Sequence, residues 1–182
     1  MAFTNFIKRK LIFCLLFKAR ILKIFKRKKK KKKILLASLL ALGLNAAPLA
    51  VDSVVDNLKI KDQNEVEKVI DTNVKTILFA SDKSTSDMLR DYLLPLSEKE
   101  NILEKNGAVY VADISGMPSL ISKFIALPKM KKYPFSVLLL DDTNKDNFVK
   151  EDGKIIVYSL ENGKVVKIDK ISTKEELAKF IK

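Results

Sequence analysis

Lys75 to Ile114 reads KTILFASDKSTSDMLRDYLLPLSEKENILEKNGAVYVADI. The hydrophobic period changes twice within it. Lys75 to Ala80 (KTILFA) is a short apolar run that reads as a buried strand. Ser81 to Ser86 is a polar turn holding several residues able to cap a helix. From about Thr85 to Lys105 the apolar positions Met88, Leu89, Tyr92, Leu93, Leu96, Ile102 and Leu103 recur at helical spacing. Pro95 should kink or interrupt that helix, since it has no amide hydrogen to donate. Asn106-Gly107 is a stop signal, and Ala108 to Ile114 (AVYVADI) is a second strand.

Downstream, Ser115 to Pro118 is a turn, and Pro118 suits the first turn of a helix. Leu120, Ile121, Phe124 and Ile125 predict a short amphipathic helix that ends before Pro128. The linker PKMKKY leads to Pro134, and Phe135 to Leu140 (FSVLLL) is apolar enough for a buried third strand. Asp141 to Gly153 is polar and reads as a surface loop. Lys154 to Leu160 and Lys164 to Ile168 are two strands joined by Glu161-Asn162-Gly163, where Asn-Gly supplies the positive φ of a tight hairpin. Ser172 or Thr173 caps a closing helix, each with a glutamate three residues on, and Leu177, Phe180 and Ile181 face inward. Upstream, residues 47–63 read as a loosely held lead-in segment. Asn64 is placed to cap a helix carrying Val66, Val69 and Ile70. The order over residues 64–182 implies a mixed sheet with helices on both faces, an α/β/α sandwich.

Length and composition bound what such a domain can do. The chain has 182 residues, 35 Lys+Arg against 22 Asp+Glu, one cysteine and no histidine. Residues 1–46 carry fourteen of the basic side chains and no acidic one. Residues 47–182 therefore hold 21 basic and 22 acidic side chains, a net of −1. The charge of +13 belongs to a leader, and it does not point the domain toward nucleic acid. In that leader a lysine run, Lys28 to Lys33, precedes an apolar stretch, Ile34 to Leu44, and small residues at Ala46 and Ala47. These are the parts of a signal peptide cleaved after Ala46, which predicts export to the periplasm or cell envelope. An uncleaved membrane anchor is the competing expectation, and the membrane is met only through this leader. The length of the cationic region also raises a translation start nearer the lysine run. Cys14 lies in the leader, so the domain behind it has no thiol and no disulfide. Without histidine, Ser-His-Asp catalysis and His-ligated metals are excluded.

The order of elements resembles the thioredoxin fold over residues 64–182. KTILFA leads through SDK into a helix where thioredoxins place their C-x-x-C. Tyr133-Pro134-Phe135 opens a buried strand where the family has a cis-proline facing the active site. The hairpin at Asn162-Gly163 and the closing helix complete the likeness. The resemblance puts the family's active-site positions at Ser84, Thr85, Ser86 and Asp87, so neither cysteine is present. It implies a redox-inactive domain with no cofactor, whose peptide groove would run between Ser84–Asp87 and Tyr133, Pro134 and Phe135.

Three groups of residues are candidates for chemistry. Ser84 and Ser86, with Lys83 as a base, would need that lysine buried and neutral; helix capping is the simpler role. Asp142, Asn144 and Asp146 have the spacing of a calcium loop, but Gly153 stands where a bidentate glutamate is needed. Lys129, Lys131, Lys132 and Tyr133 form a basic rim that would attract an acidic peptide. The expectation is a non-catalytic domain that binds a protein or peptide partner. The alternatives are an envelope hydrolase or transferase using carboxylate and Ser/Lys groups, and a membrane-tethered structural protein.

Overall fold

The computed structural model of the chain describes residues 47–182, apart from Asp56 and Thr143. The N-terminal segment, with Cys14 and the expected cleavage after Ala46, lies outside the described residues. Two strands, β1 (Leu58–Lys61) and β2 (Glu67–Ile70), form an antiparallel hairpin. Then come β3 (Thr76–Ala80), α1 (Lys83–Leu96), α2 (Ile102–Lys105) and β4 (Ala108–Asp113). A helical stretch over residues 119–130, here α3, leads to β5 (Val137–Leu140). One 3₁₀ turn (Lys145–Asn147), β6 (Ile155–Glu161), β7 (Lys164–Ile171) and α4 (Lys174–Leu177) complete the chain.

Strands β3 to β7 make one mixed sheet in the order β5-β4-β3-β6-β7. β3 and β5 run parallel to β4, and β6 runs antiparallel to both β3 and β7. A βαβ half and a hairpin-plus-helix half thus meet at β3, and the fold is the α/β, thioredoxin-like one that the resemblance implies. Alternate residues of β3 serve the two faces. Leu78 packs in one core cluster with Leu89 and Leu93 of α1, Leu177 of α4 and Ile181. Ile77 and Phe79 pack in the other with Val55, Ile60, Ile70 and Phe148. The helices therefore cover one face. The other is closed by the β1–β2 hairpin and by Phe148 just after the 3₁₀ turn, where the sequence suggested helices on both sides. Phe148 stacks on Phe79 at 4.9 Å between ring centroids. Among the described residues no helix is long and apolar enough to cross a membrane.

The expected helix from Asn64 to Ile70 is instead the turn into β2. Asp62 causes the change: its Oδ1 accepts the amides of Asn64 (2.8 Å) and Val66 (3.0 Å), and Glu65 takes a positive φ of 66°. The helical spacing of Val66, Val69 and Ile70 goes unused; only Ile70 is buried. Nor is the lead-in segment loose, since Val55, Ile60, Asp62 and Gln63 are all buried. The expected helix over Thr85–Lys105 is two helices. α1 ends one residue after Pro95, and Asn101 caps α2. Gly107 then takes φ +60°, and a Cβ there would stand 3.3 Å from the Asn73 carbonyl oxygen. The hairpin turn matches expectation, with Asn162 and Gly163 both at positive φ.

α3 also departs from expectation. It runs past Pro128 to Met130, through α-helix Ser119–Ile121, π-helix Ser122–Ala126 and α-helix Leu127–Met130. A proline inside a helix removes one hydrogen bond. Here the wider turn before it lets Pro128 sit in the first turn of a new α segment, where no donor is needed.

β5 is an edge strand buried along its whole length, and an exposed edge invites pairing with other chains. Gln63 covers it. Its backbone amide donates to the Val137 carbonyl (3.1 Å). Its side chain accepts from the Val137 amide (2.7 Å) and donates to the Phe135 carbonyl (2.9 Å). Gln63→Ala leaves both backbone groups buried without those partners, so it should cost about 2–3 kcal/mol. Urea unfolding measures that loss; Gln63→Glu, which sets a buried carboxylate oxygen against the Phe135 carbonyl, should cost at least as much as the alanine.

Candidate functional site

A cavity of about 840 Å³ opens where β3 and β4 end, between the first turns of α1 and the body of α3. Three polar groupings and an apolar wall define it.

The first grouping begins at Asp82, which caps α1 from a β-region backbone. Its carboxylate accepts from the Thr85 amide (2.9 Å), the Ser84 hydroxyl (2.6 Å) and the Gly153 amide (3.0 Å). The Thr85 side chain returns to the Asp82 backbone, which completes a capping box. Partial burial opposes ionisation of Asp82, but the bonds from Ser84, Thr85 and Gly153 outweigh it and hold the carboxyl at about 2. The positive end of α1 is thus already met by the chain's own carboxylate.

The second grouping is on the next turn. Arg90 pairs with Asp87, one turn back, and with Asp91 at 2.7 Å. Tyr133 lies close enough to Arg90, and the fully buried Tyr110 to Ser86, for each neighbour to favour the ionised phenol. Burial pushes both phenols above their ordinary range, with Ser86 and Arg90 respectively opposing it. The third grouping is Asp113 at the end of β4, its side chain buried and paired with Lys150. It also accepts the Ser115 amide at 2.8 Å. Burial works against its ionisation, and the bonds from Lys150 and Ser115 prevail, so its pKa lies below the usual carboxylate value. Ile114, Met117, Ile121, Ile125 and Met130 line the remaining wall. The Ser81 hydroxyl, also in the lining, is shielded from solvent without a hydrogen-bond partner.

The polar groups of the lining are largely engaged with one another. Asp82 and Asp113 are held ionised, so neither can deliver a proton near neutral pH. Tyr110 and Tyr133 are held protonated. The Ser84 hydroxyl is engaged by Asp82, and Ser86 lies close to Tyr110. Lys83 is exposed, whereas a neutral lysine base needs burial.

The sequence-derived candidates are only partly brought together. Ser86 and Asp87 line the cavity; Thr85 is buried as a capping residue and Ser84 is exposed. Tyr133 faces the cavity, but Pro134 is exposed outside its lining and Phe135 is a core residue, 5.5 Å from the Tyr133 ring. Pro134 does not hold the family's proline place. It opens β5, two strands from β3, and every peptide bond among the described residues is trans. The strand paired antiparallel with β3 is β6, and the residue near its start that touches the α1 cap is Gly153. In the calcium candidate, Asp142 pairs with Lys145 at 2.9 Å and the Asn144 side chain accepts the Asp141 amide. Among the described residues no three acidic, histidine or cysteine side chains group closely enough to hold a metal.

Sequence reading missed Asp82, Arg90, Tyr110, Asp113 and Lys150. Two had local signals: Asp82-x-x-Thr85 as a box, and Asp87-x-x-Arg90 as a helical i,i+3 pair. Tyr110, Asp113 and Lys150 are assembled by tertiary contact alone.

No family model matches the chain, and no curated relative does. Among solved structures it is similar to the thioredoxin domain of a thiol-disulfide oxidoreductase from Bacteroides vulgatus, at 18% identity and a TM-score of 0.46. That likeness covers 74% of this chain and 99% of the other. It is also similar to peroxiredoxin Q from Xanthomonas campestris, at 15% identity and a TM-score of 0.47, covering 74% of this chain and 93% of that one.

Asp82→Ala should destabilise the domain by about 1–2 kcal/mol, the range for a lost N-cap. The pH dependence has a fixed sign. The folded pKa is depressed to about 2 from 3.8, so the stabilisation is present above pH 3.8 and is lost as pH falls toward 2. Thermal melts between pH 5 and pH 2 should show this loss in the native chain and a smaller one in Asp82→Asn.

Proposed function

We propose that the chain carries an exported, non-catalytic thioredoxin-like domain that binds a protein or peptide segment in the cavity between α1 and α3. One observation carries the reading. The helix end where the resemblance would put thiols is filled by the Asp82 carboxylate, while the space beside it is a largely apolar cavity. Its volume suits a few side chains of a ligand. Tyr133 and Lys129 are polar groups of the lining able to orient one. Lys83 and Lys129, which take part in none of the ion pairs found among the described residues, line it, which favours an acidic or carboxylate-bearing segment. The hydrolase or transferase alternative has less support, since each of the three carboxylates in the lining, Asp82, Asp87 and Asp113, is already engaged by neighbouring donors or cations, and histidine is absent.

Export is the reading of the leader sequence: lysine run, apolar stretch, small residues. N-terminal sequencing of the protein from cells should then begin at or near Ala47; a start within residues 1–33 would leave the anchor in its place.

Partner capture from the envelope fraction tests the cavity. Tyr133→Ala combined with Met117→Gln changes its lining while leaving the buried core residues, Phe135 among them, in place. At least a tenfold drop in captured partner is expected, about the effect of losing 1.4 kcal/mol. Undiminished recovery of the same partners would place binding elsewhere.

A further inference from the structure

We propose that α3 is a docking surface for an anionic lipid bilayer, centred on the Leu120 and Phe124 side outside the cavity lining and beyond the binding role proposed for the cavity. Only the second half of this helix is anchored: Leu127 and Met130 pack against the core. The first half carries a ridge of large apolar side chains with little protein around them. Leu120 is 71% exposed, Phe124 73%, Ile125 64% and Ile121 45%. Ile121 and Ile125 line the cavity mouth, whereas Leu120 and Phe124 are outside its lining.

The charge carried by this segment of the chain is of one sign. From Ser115 to Leu140 there is no Asp or Glu, and the four charged residues are Lys123, Lys129, Lys131 and Lys132. All four are exposed, and none takes part in the ion pairs found among the described residues. The rest of residues 47–182 then carries 17 basic against 22 acidic side chains, a net of −5. The segment that carries the ridge is thus net positive, with its lysines outside the ion pairs, in a domain whose remaining residues are net negative.

A helix with Phe, Leu and Ile on one side and lysines around it has the composition of an interfacial helix, whose apolar side enters about 5–10 Å below the headgroups. Lysines beside it gain from an anionic surface, and the negative remainder of the domain is repelled, so a single orientation is favoured. A second copy suits the ridge less well, because an isologous contact would bring the lysines of both copies together. An acidic protein is the remaining occupant, and the experiment separates it.

The chain has no tryptophan, so Phe124→Trp in the full chain gives a single fluorescent reporter on the ridge. It reports depth, so the leader holding the protein on a vesicle does not by itself produce the signal. Vesicles of phosphatidylglycerol and phosphatidylcholine should move its emission to shorter wavelength, and lipids brominated on their chains should quench it. Phosphatidylcholine vesicles alone should do neither. Changing Lys123, Lys131 and Lys132 to Gln should lower the ratio of inserted to water-exposed reporter about 100-fold, roughly fivefold for each lysine. Leu120→Asp should abolish insertion, while Tyr133→Ala with Met117→Gln, which adds no charge to this stretch, should leave it unchanged, which separates failure here from failure of the cavity reading. Unchanged emission with anionic vesicles overturns the proposal. So does equal insertion into neutral vesicles, or a shift without lipid that grows with protein concentration or needs an added envelope protein.

Discussion

The carboxylate of Asp82 is where three parts of the chain meet. It ends the turn out of β3, supplies the acceptor for the first turn of α1, and holds the Gly153 amide just before β6. Because β3 and β6 are neighbours in the sheet, that carboxylate fixes the corner around which the helix layer and the hairpin half are set. It also settles the electrostatics there. A helix N-terminus is a ready place for an anion or a low-pKa nucleophile, and here a side chain of the chain itself fills it. The neighbouring turn follows the same pattern, with Arg90 satisfied by Asp87 and Asp91. Polar groups that could do chemistry are spent on one another, and the lining left over is apolar.

Elements with a strong local period were legible in the sequence: β3, β4, β5, the hairpin at Asn162-Gly163 and the capped α4. Each is specified by its own residues, as in the Thr173–Glu176 capping box that closes the chain. The segment 64–70 was not, because its apolar spacing fits a helix and nothing local forbids one. What decides it is a pair of amides taken by Asp62 and the need of β5 for a covered edge, and the partners of that edge, Asp62 and Gln63, are some 75 residues away in sequence. An apolar period records that a residue can be buried on one side, not which surface is waiting for it.

The site divides the same way. Ser86 and Asp87 were found because they follow a strand at the start of a helix, which is a local feature. Tyr133 was found for a reason the structure replaces: it faces the cavity from the end of α3, not from beside a family proline. Tyr110, Asp113 and Lys150 had no local mark, since the first is a strand residue like its neighbours and the other two pair across 37 positions. Pro134 was misread because a proline before an apolar run looks alike whichever strand follows, and the sheet order that would distinguish β5 from β6 is not written in either segment.

Helix α3 is where local propensity and tertiary demand part company. Its apolar residues would make an ordinary core face, and its far end does pack, through Leu127 and Met130. The π turn over Ser122–Ala126 changes the angular step between the two halves; a wider turn shifts later residues around the axis relative to earlier ones. The packed half can then face the sheet while Leu120 and Phe124 face outward, which a continuous α-helix with this spacing would not allow. Pro128 favours that break, because it cannot donate into the preceding turn. The exposed ridge is thus a consequence of how the helix is wound, in a stretch that also excludes every acidic residue. A core-facing helix has use for neither feature, whereas a surface-binding one needs both.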